Sequence, residues 1–268
     1  MKVTLVVCFL FCVPWISCCQ SRWSKNTRPT LEFRPLPAER ASTLIWYNPG
    51  KPSSYWKKEL EAFLKRTLVQ SASVPSRFLF FLLLAYTQKT RQDNAAVVCS
   101  WDQPPEGRFC DFRITPEFGP CTSEYDYGFS STKGGPCVFL KLNKIPGWVP
   151  KYYNSTTVPR GMPEHVRTAI IEGEKRGRHH VVWVDCYGVT PADQEFIGPL
   201  NYYPRRGFKG VYFPFTGIEG YLSPLVAVHF EQPMRGVVIN VECKAWAQNI
   251  NHDGEEKEAM VNFELLIE

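Results

Sequence analysis

The sequence predicts a mainly β domain with antiparallel sheet, held by disulfides, and one amphipathic helix ahead of the main run of strands. Three observations carry that expectation. Apolar residues recur with period two along one strand face at 181–186, 236–243 and 261–267. Six cysteines, Cys99, Cys110, Cys121, Cys137, Cys186 and Cys243, lie beyond an apolar N-terminal stretch. From residue 97 onward, proline and glycine separate strand-length segments. Period-two alternation puts one face of a strand against a core and the other in water, as antiparallel sheets commonly do.

The chain opens with Met1-Lys2 and an apolar run over 3–19. One basic residue, an apolar stretch and the small residues Ser17 and Cys19 fit a cleavable signal peptide ending at Cys19. A truncated membrane anchor is the rival reading. At ~1.5 Å rise per residue the run reaches about 26 Å, short of the roughly 30 Å hydrocarbon core, and Pro14 interrupts it. Cys8, Cys12, Cys18 and Cys19 are then small apolar residues of this segment, not metal ligands. The six later cysteines and the acceptor sequence Asn154-Ser155-Thr156 add a second argument for the secretory pathway, where disulfides persist and a glycan on Asn154 is expected.

Residues 20–41 carry Arg, Ser, Pro and Asn with few apolar groups and read as an extended extracellular stalk before a first strand at 44–47. Trp56, Leu60, Phe63, Leu64 and Leu68 then recur at i, i+4, i+7, i+8 and i+12, with Lys57, Lys58, Glu61 and Lys65 opposite. That spacing predicts one amphipathic helix, capped by Ser53 or Ser54. The run at 78–86 is too short to span a bilayer. A buried element, an exposed partner surface and a segment absent from the mature protein all stay open for it.

Further on, Val182, Val184 and Cys186 share one strand face. Val237, Ile239, Val241 and Cys243 share another, opposed by Asn240 and Glu242. Val261, Phe263, Leu265 and Ile267 alternate with Asn262, Glu264 and Glu268. Cys186 and Cys243 thus both lie on apolar faces, where a bond buried in a sandwich core would start. Six cysteines allow many pairings, and spacing alone selects none.

With 31 basic and 26 acidic residues the formal charge is +5, too mild and too scattered to argue for nucleic acid. The basic cluster Lys175-Arg176-Gly177-Arg178-His179-His180 reads as a solvated turn. No phosphate-cradling Gly-x-x-x-x-Gly-Lys-Ser/Thr, His-Glu-x-x-His or Gly-x-Ser-x-Gly occurs. His179, His180 and Asp185-Cys186 could form a thiol site, but an oxidising lumen and a strand-face cysteine favour a disulfide. His165, His229 and His252 stand apart. No catalytic residue, metal or cofactor is expected.

At Gly135-Pro-Cys-Val-Phe-Leu-Lys-Leu-Asn-Lys-Ile-Pro-Gly-Trp-Val-Pro150 the chain resembles the Na,K-ATPase beta subunit family, particularly its invertebrate members. Leu31-Glu-Phe-Arg-Pro-Leu-Pro37, Ser42-Thr-Leu-Ile-Trp-Tyr47, Tyr221-Leu-Ser-Pro-Leu-Val-Ala-Val-His-Phe230 and Val241-Glu-Cys-Lys-Ala-Trp246 match in order. The resemblance implies an immunoglobulin-like antiparallel β-sandwich ectodomain over 42–268 with one added helix. It implies disulfides Cys99 to Cys110, Cys121 to Cys137 and Cys186 to Cys243. It implies a non-catalytic role at the plasma membrane, extracellular side: binding a P-type ATPase alpha subunit, helping it fold and leave the endoplasmic reticulum, and tuning potassium transport. Some members of the family also join neighbouring cells through their ectodomains.

Tyr202, Tyr203 and the run Tyr212, Phe213, Phe215 to Tyr221 resemble the part of the family ectodomain that lies against the alpha subunit. Core filling is the competing reading for these aromatics. Two features depart from the family. Its members begin with a cytoplasmic tail and a full transmembrane helix, whereas here Arg22, Lys25 and Arg28 follow a short apolar segment, the reverse of what that orientation favours. A secreted module that binds or adheres without a pump is therefore the alternative. The stretch 71–90 is not recognised in the family and reads as an insertion or a mispredicted exon.

Overall fold

The computed structural model describes residues 28–39, 41–49, 54–69, 96–100, 106–130, 134–218, 220–254 and 258–268, with side chains of 54 and 66–69 left aside. The apolar N-terminal segment, Ser53, the Leu68 side chain and the 78–86 run fall outside the described residues. The strands are β1 (Leu31–Arg34), β2 (Leu44–Tyr47), β3 (Ala96–Val97), β4 (Phe109–Cys110), β5 (Cys137–Leu142), β6 (Val181–Gly188), β7 (Leu200–Tyr203), β8 (Phe208–Lys209), β9 (Leu225–Phe230), β10 (Val238–Trp246) and β11 (Met260–Ile267). The helices are α1 (Ser54–Val69), α2 (Glu164–Lys175) and α3 (Pro191–Phe196). None of the helices among the described residues is long and apolar enough to cross a membrane.

A four-stranded sheet in the order β1-β5-β9-β7 packs against a five-stranded sheet in the order β2-β11-β10-β6-β8. The expected β-sandwich is therefore present. One core fills the space between, with Phe33 of β1 stacked on Phe263 of β11 at 5.0 Å and Phe230 of β9 set edge-on to the same ring. Val182, Val184 and Cys186 of β6 and Ile239, Val241 and Cys243 of β10 bury on the faces that alternation assigned them. Each such side chain contributes roughly 1.5–3 kcal/mol by leaving water.

Three expectations need correction. Leu31–Arg34 belongs to the sandwich, paired antiparallel with β5, where the sequence reading had a stalk. Its four residues alternate, Leu31 and Phe33 inward, but so short a pattern is easily passed over. Strand β2 runs parallel to β11, so the sheet is mixed, not wholly antiparallel. Finally, β6 has no wet face over most of its length: Val181 and Trp183 pack into a second small core with Met162, Val166 and Ile170.

The cover over β6 is α2, one of two helices absent from the sequence expectation. Its buried stripe is only Val166, Ile170 and Gly173, and Gly173 abuts Trp183 so closely that an added Cβ would lie 2.5 Å from the indole. The helix stops at Gly177 (φ 73°), where Gly177 N–H donates to Glu174 O and Arg178 N–H to Gly173 O. The other unforeseen helix, α3, starts from a reciprocal cap between Thr190 and Asp193 with Pro191 at its first position. Helix α1 buries Trp56, Leu60, Phe63 and Leu64 as the spacing predicts, with Trp56 stacked on Phe129 at 6.0 Å.

Candidate functional site

Strand β7 is an edge of one sheet and β8 an edge of the other, so the segment 202–221 runs across one open side of the sandwich. Sequence places seven aromatic rings there, and folding divides the six that resemble the partner-facing part of the family. Phe213 and Tyr221 are only 6% and 5% exposed. Phe213 sits edge-on to Trp148, and the Tyr221 hydroxyl donates to Tyr212 O at 2.7 Å. These two rings fill the core and leave almost no surface for a partner.

Tyr202, Tyr203, Tyr212 and Phe215 keep part of their surface in water. The Tyr202 hydroxyl accepts from Cys186 N–H at 2.9 Å and lies 3.4 Å from Asp185 Oδ1, while the Arg206 guanidinium stands 4.3 Å over its ring. Burial, then the Asp185 charge, hold its phenol well above the ordinary range. Tyr203 closes over Gly119, where a Cβ would come within 2.9 Å of its ring. The Tyr212 hydroxyl donates to Asp111 O at 3.2 Å, and burial pushes its pKa up to about 12. Lys144 lies over both Phe215 and Tyr221 at 5.4 and 5.3 Å, a cation–π arrangement that fixes the end of the run.

Beside these rings is a cavity of about 320 Å³ with an apolar wall of Phe112, Phe118 and Leu225 and a charged rim of Asp111, Arg113 and Lys209. Burial lowers the pKa of Lys209. Among the described residues, no serine, cysteine or histidine lines it. Its chemistry suits the reception of a side chain.

Disulfides fix this side of the molecule. Cys186 and Cys243 face each other in register between β6 and β10 and are bonded, with Cα atoms 4.1 Å apart. Cys121 is bonded to Cys137 at the start of β5, and Cys99 to Cys110 at the small β3–β4 pair. The thiol site imagined from His179, His180 and Cys186 therefore has no thiol. Among the described residues, no three His, Cys, Asp or Glu side chains group into a metal cage. His179 and His180 are exposed, His252 bonds to Ala245 O, and His229 is half-buried in β9.

Asn154 is exposed in a tight turn. Its Oδ1 accepts from the Thr156 hydroxyl at 2.8 Å and from the N–H groups of Thr156 and Thr157 at 3.0 Å. Ser155 N–H donates to Glu174 Oε2 at 2.9 Å and pins this turn to α2. A pairing that sequence reasoning missed is His165 with Asp185. The signal was an aspartate inside the apolar strand 181–186, which demanded a partner.

The family described as sodium/potassium ATPase beta chain matches residues 3–264. The sodium/potassium-transporting ATPase subunit beta-2 of Drosophila melanogaster is 45% identical over 251 residues, covering 91% of this chain and 72% of that protein. Subunit beta-1 of the same fly is 33% identical over 273 residues, covering 98% and 80%. The probable subunit beta-3 of Caenorhabditis briggsae is 32% identical over 238 residues, covering 84% and 68%. Sandwich, disulfides and sequence agree, and the chain belongs to the sodium/potassium ATPase beta chain family.

Proposed function

We propose that this chain is the non-catalytic beta subunit of a sodium/potassium-exchanging P-type ATPase, and that it binds the catalytic alpha subunit through its ectodomain. In that role it supports the folding and trafficking of the alpha subunit and its potassium transport, at the extracellular side of the plasma membrane. Membership of the family over residues 3–264 carries the reading. The surface proposed to meet the alpha subunit is the partly buried set Tyr202, Tyr203, Tyr212 and Phe215, with Phe213 and Tyr221 holding it from beneath. Such rings supply contact area at low rotamer cost, and the hydroxyls of Tyr202 and Tyr212 are already partnered within the chain.

The test is immunoprecipitation of the tagged full chain from detergent-solubilised cells. Recovery of a P-type ATPase alpha subunit is expected. Soluble chain in the culture medium with no pump attached would replace this reading by a secreted binding or cell-adhesion module.

A further inference from the structure

The basic run 175–180 forms the solvated turn that its sequence suggests, with Lys175, Arg176, His179 and His180 exposed. Folding adds a second pair of arginines to it. The turn between β7 and β8 brings Arg205 and Arg206 to the same recess as Arg176 and Arg178, a space of about 190 Å³. Its floor is apolar, formed by Trp183, Val181 and the small residues of α2. One carboxylate shares the site: Glu172, which pairs with Arg176 at 3.4 Å. Among the described residues that line it, four guanidinium groups thus stand beside one carboxylate.

Arg205 shows the electrostatic consequence. Its burial, and next the charge of Arg178, both disfavour its protonated form, and Glu117 offsets only part of this. An oxyanion in the recess would relieve both effects. Guanidinium is the side chain best matched to such a group, because its planar fork donates two parallel hydrogen bonds to one sulfate, phosphate or carboxylate.

We infer that this arginine recess binds the sulfate groups of a sulfated polysaccharide. The inference rests on the extracellular placement proposed above but not on pump docking. That placement removes nucleic acid, and acidic lipid headgroups are concentrated on the cytoplasmic leaflet. The recess is small enough to take one oxyanion at a time. Lys175, His179 and His180, exposed and adjacent in sequence to Arg176 and Arg178, offer further basic groups to a repeating polyanion.

The test uses the full chain, purified in detergent, against immobilised heparin near physiological salt. R176Q/R178Q and R205Q/R206Q should each weaken binding at least about tenfold. The control K58Q/K151Q removes the same charge from exposed lysines outside the recess and should leave binding unchanged. R205K/R206K keeps the charge without the fork and should bind with intermediate strength, so the claim stays testable if a glutamine variant fails to fold. No heparin binding, equal loss in the lysine control, or equal binding to heparin stripped of sulfate but retaining carboxylate would each overturn the inference. So would arginine variants that lose the pump's alpha subunit yet keep heparin, which would give the recess to an acidic protein segment. Failure of the unmodified chain to recover an alpha subunit would strike the pump reading alone.

Discussion

His165 at the start of α2 reaches 2.8 Å from its Nε2 to Oδ1 of Asp185, a fully buried carboxylate on the outward face of β6. The second oxygen of that carboxylate, Oδ2, has no hydrogen-bond partner among the described residues. Replacing His165 by alanine strips the main support from a buried acid and should cost about 1–3 kcal/mol in denaturant unfolding. His165→Gln, which can still donate, should recover part of the loss. Equal losses in both variants would mean that the ring's packing matters and its hydrogen bond does not.

The Cys186–Cys243 bond closes a sequence separation of 57, the largest of the three among the described residues, and Cys99–Cys110 one of only 11. The cost of opening a cross-link grows with the chain it closes, so C186A/C243A should lose about 4 kcal/mol and C99A/C110A about 3 kcal/mol. Thermal unfolding without reductant measures both. A reversed ranking would show that local packing at the small β3–β4 pair outweighs loop closure.

Gly188 at the end of β6 lies against the first turns of α3. A Cβ there would sit 2.2 Å from the Asp193 carbonyl carbon and 2.3 Å from Gln194 N, both backbone atoms that cannot swing aside. Gly188→Ala should therefore cost about 1–3 kcal/mol or more. Gly161→Ala meets nothing within 4 Å and should be neutral or stabilising by up to about 1 kcal/mol through a less flexible unfolded chain. Unfolding midpoints of the two variants should move in opposite directions or differ sharply in size.

Asp193 caps α3 and also accepts from Asn240 N–H at 2.9 Å. Burial alone would raise its pKa, but the hydrogen bonds from Thr190 and Asn240 outweigh it and hold the carboxyl below its ordinary value of 3.8. The folded state therefore binds this proton less readily than the unfolded chain. The stability it supplies is complete above about pH 4 and fades as pH falls through the lower, folded value. Asp193→Asn should cost about 1 kcal/mol at neutral pH, and its gap from the parent should narrow toward pH 2. A gap that is constant with pH would remove the charge from the explanation.

The turn at Asn154 already pairs the asparagine side chain with the Thr156 hydroxyl. A glycan on Asn154 predicts faster gel migration after glycosidase treatment of the expressed chain, and the same mobility for untreated Asn154→Gln. Unchanged migration would leave the site unmodified.

Much of the sandwich is legible locally. Where one face of a strand is wet and the other dry, as in β10 and β11, alternation names the inward residues, Cys243 among them. The i, i+4, i+7 spacing does the same for α1. Strand β6 is harder to read, because α2 covers its outer face and buries Val181 and Trp183 as deeply as Val182 and Val184. Its alternation marks two different cores.

The candidate sites depend still more on long-range contacts. Phe213 and Phe215 are two residues apart and chemically alike, yet one is buried against Trp148 and the other half-exposed beside Lys144, because only one meets the core. Arg178 and Arg205 are 27 positions apart and come together only when β8 pairs with β6. Sequence by itself marked the inward residues of α1, β10 and β11 through local periodicity, put Cys186 and Cys243 on apolar faces, and carried the motifs by which the chain resembles its family. Tertiary structure alone decided strand partners, the direction of β2 and the convergence of the arginines, since those depend on contacts between residues far apart along the chain.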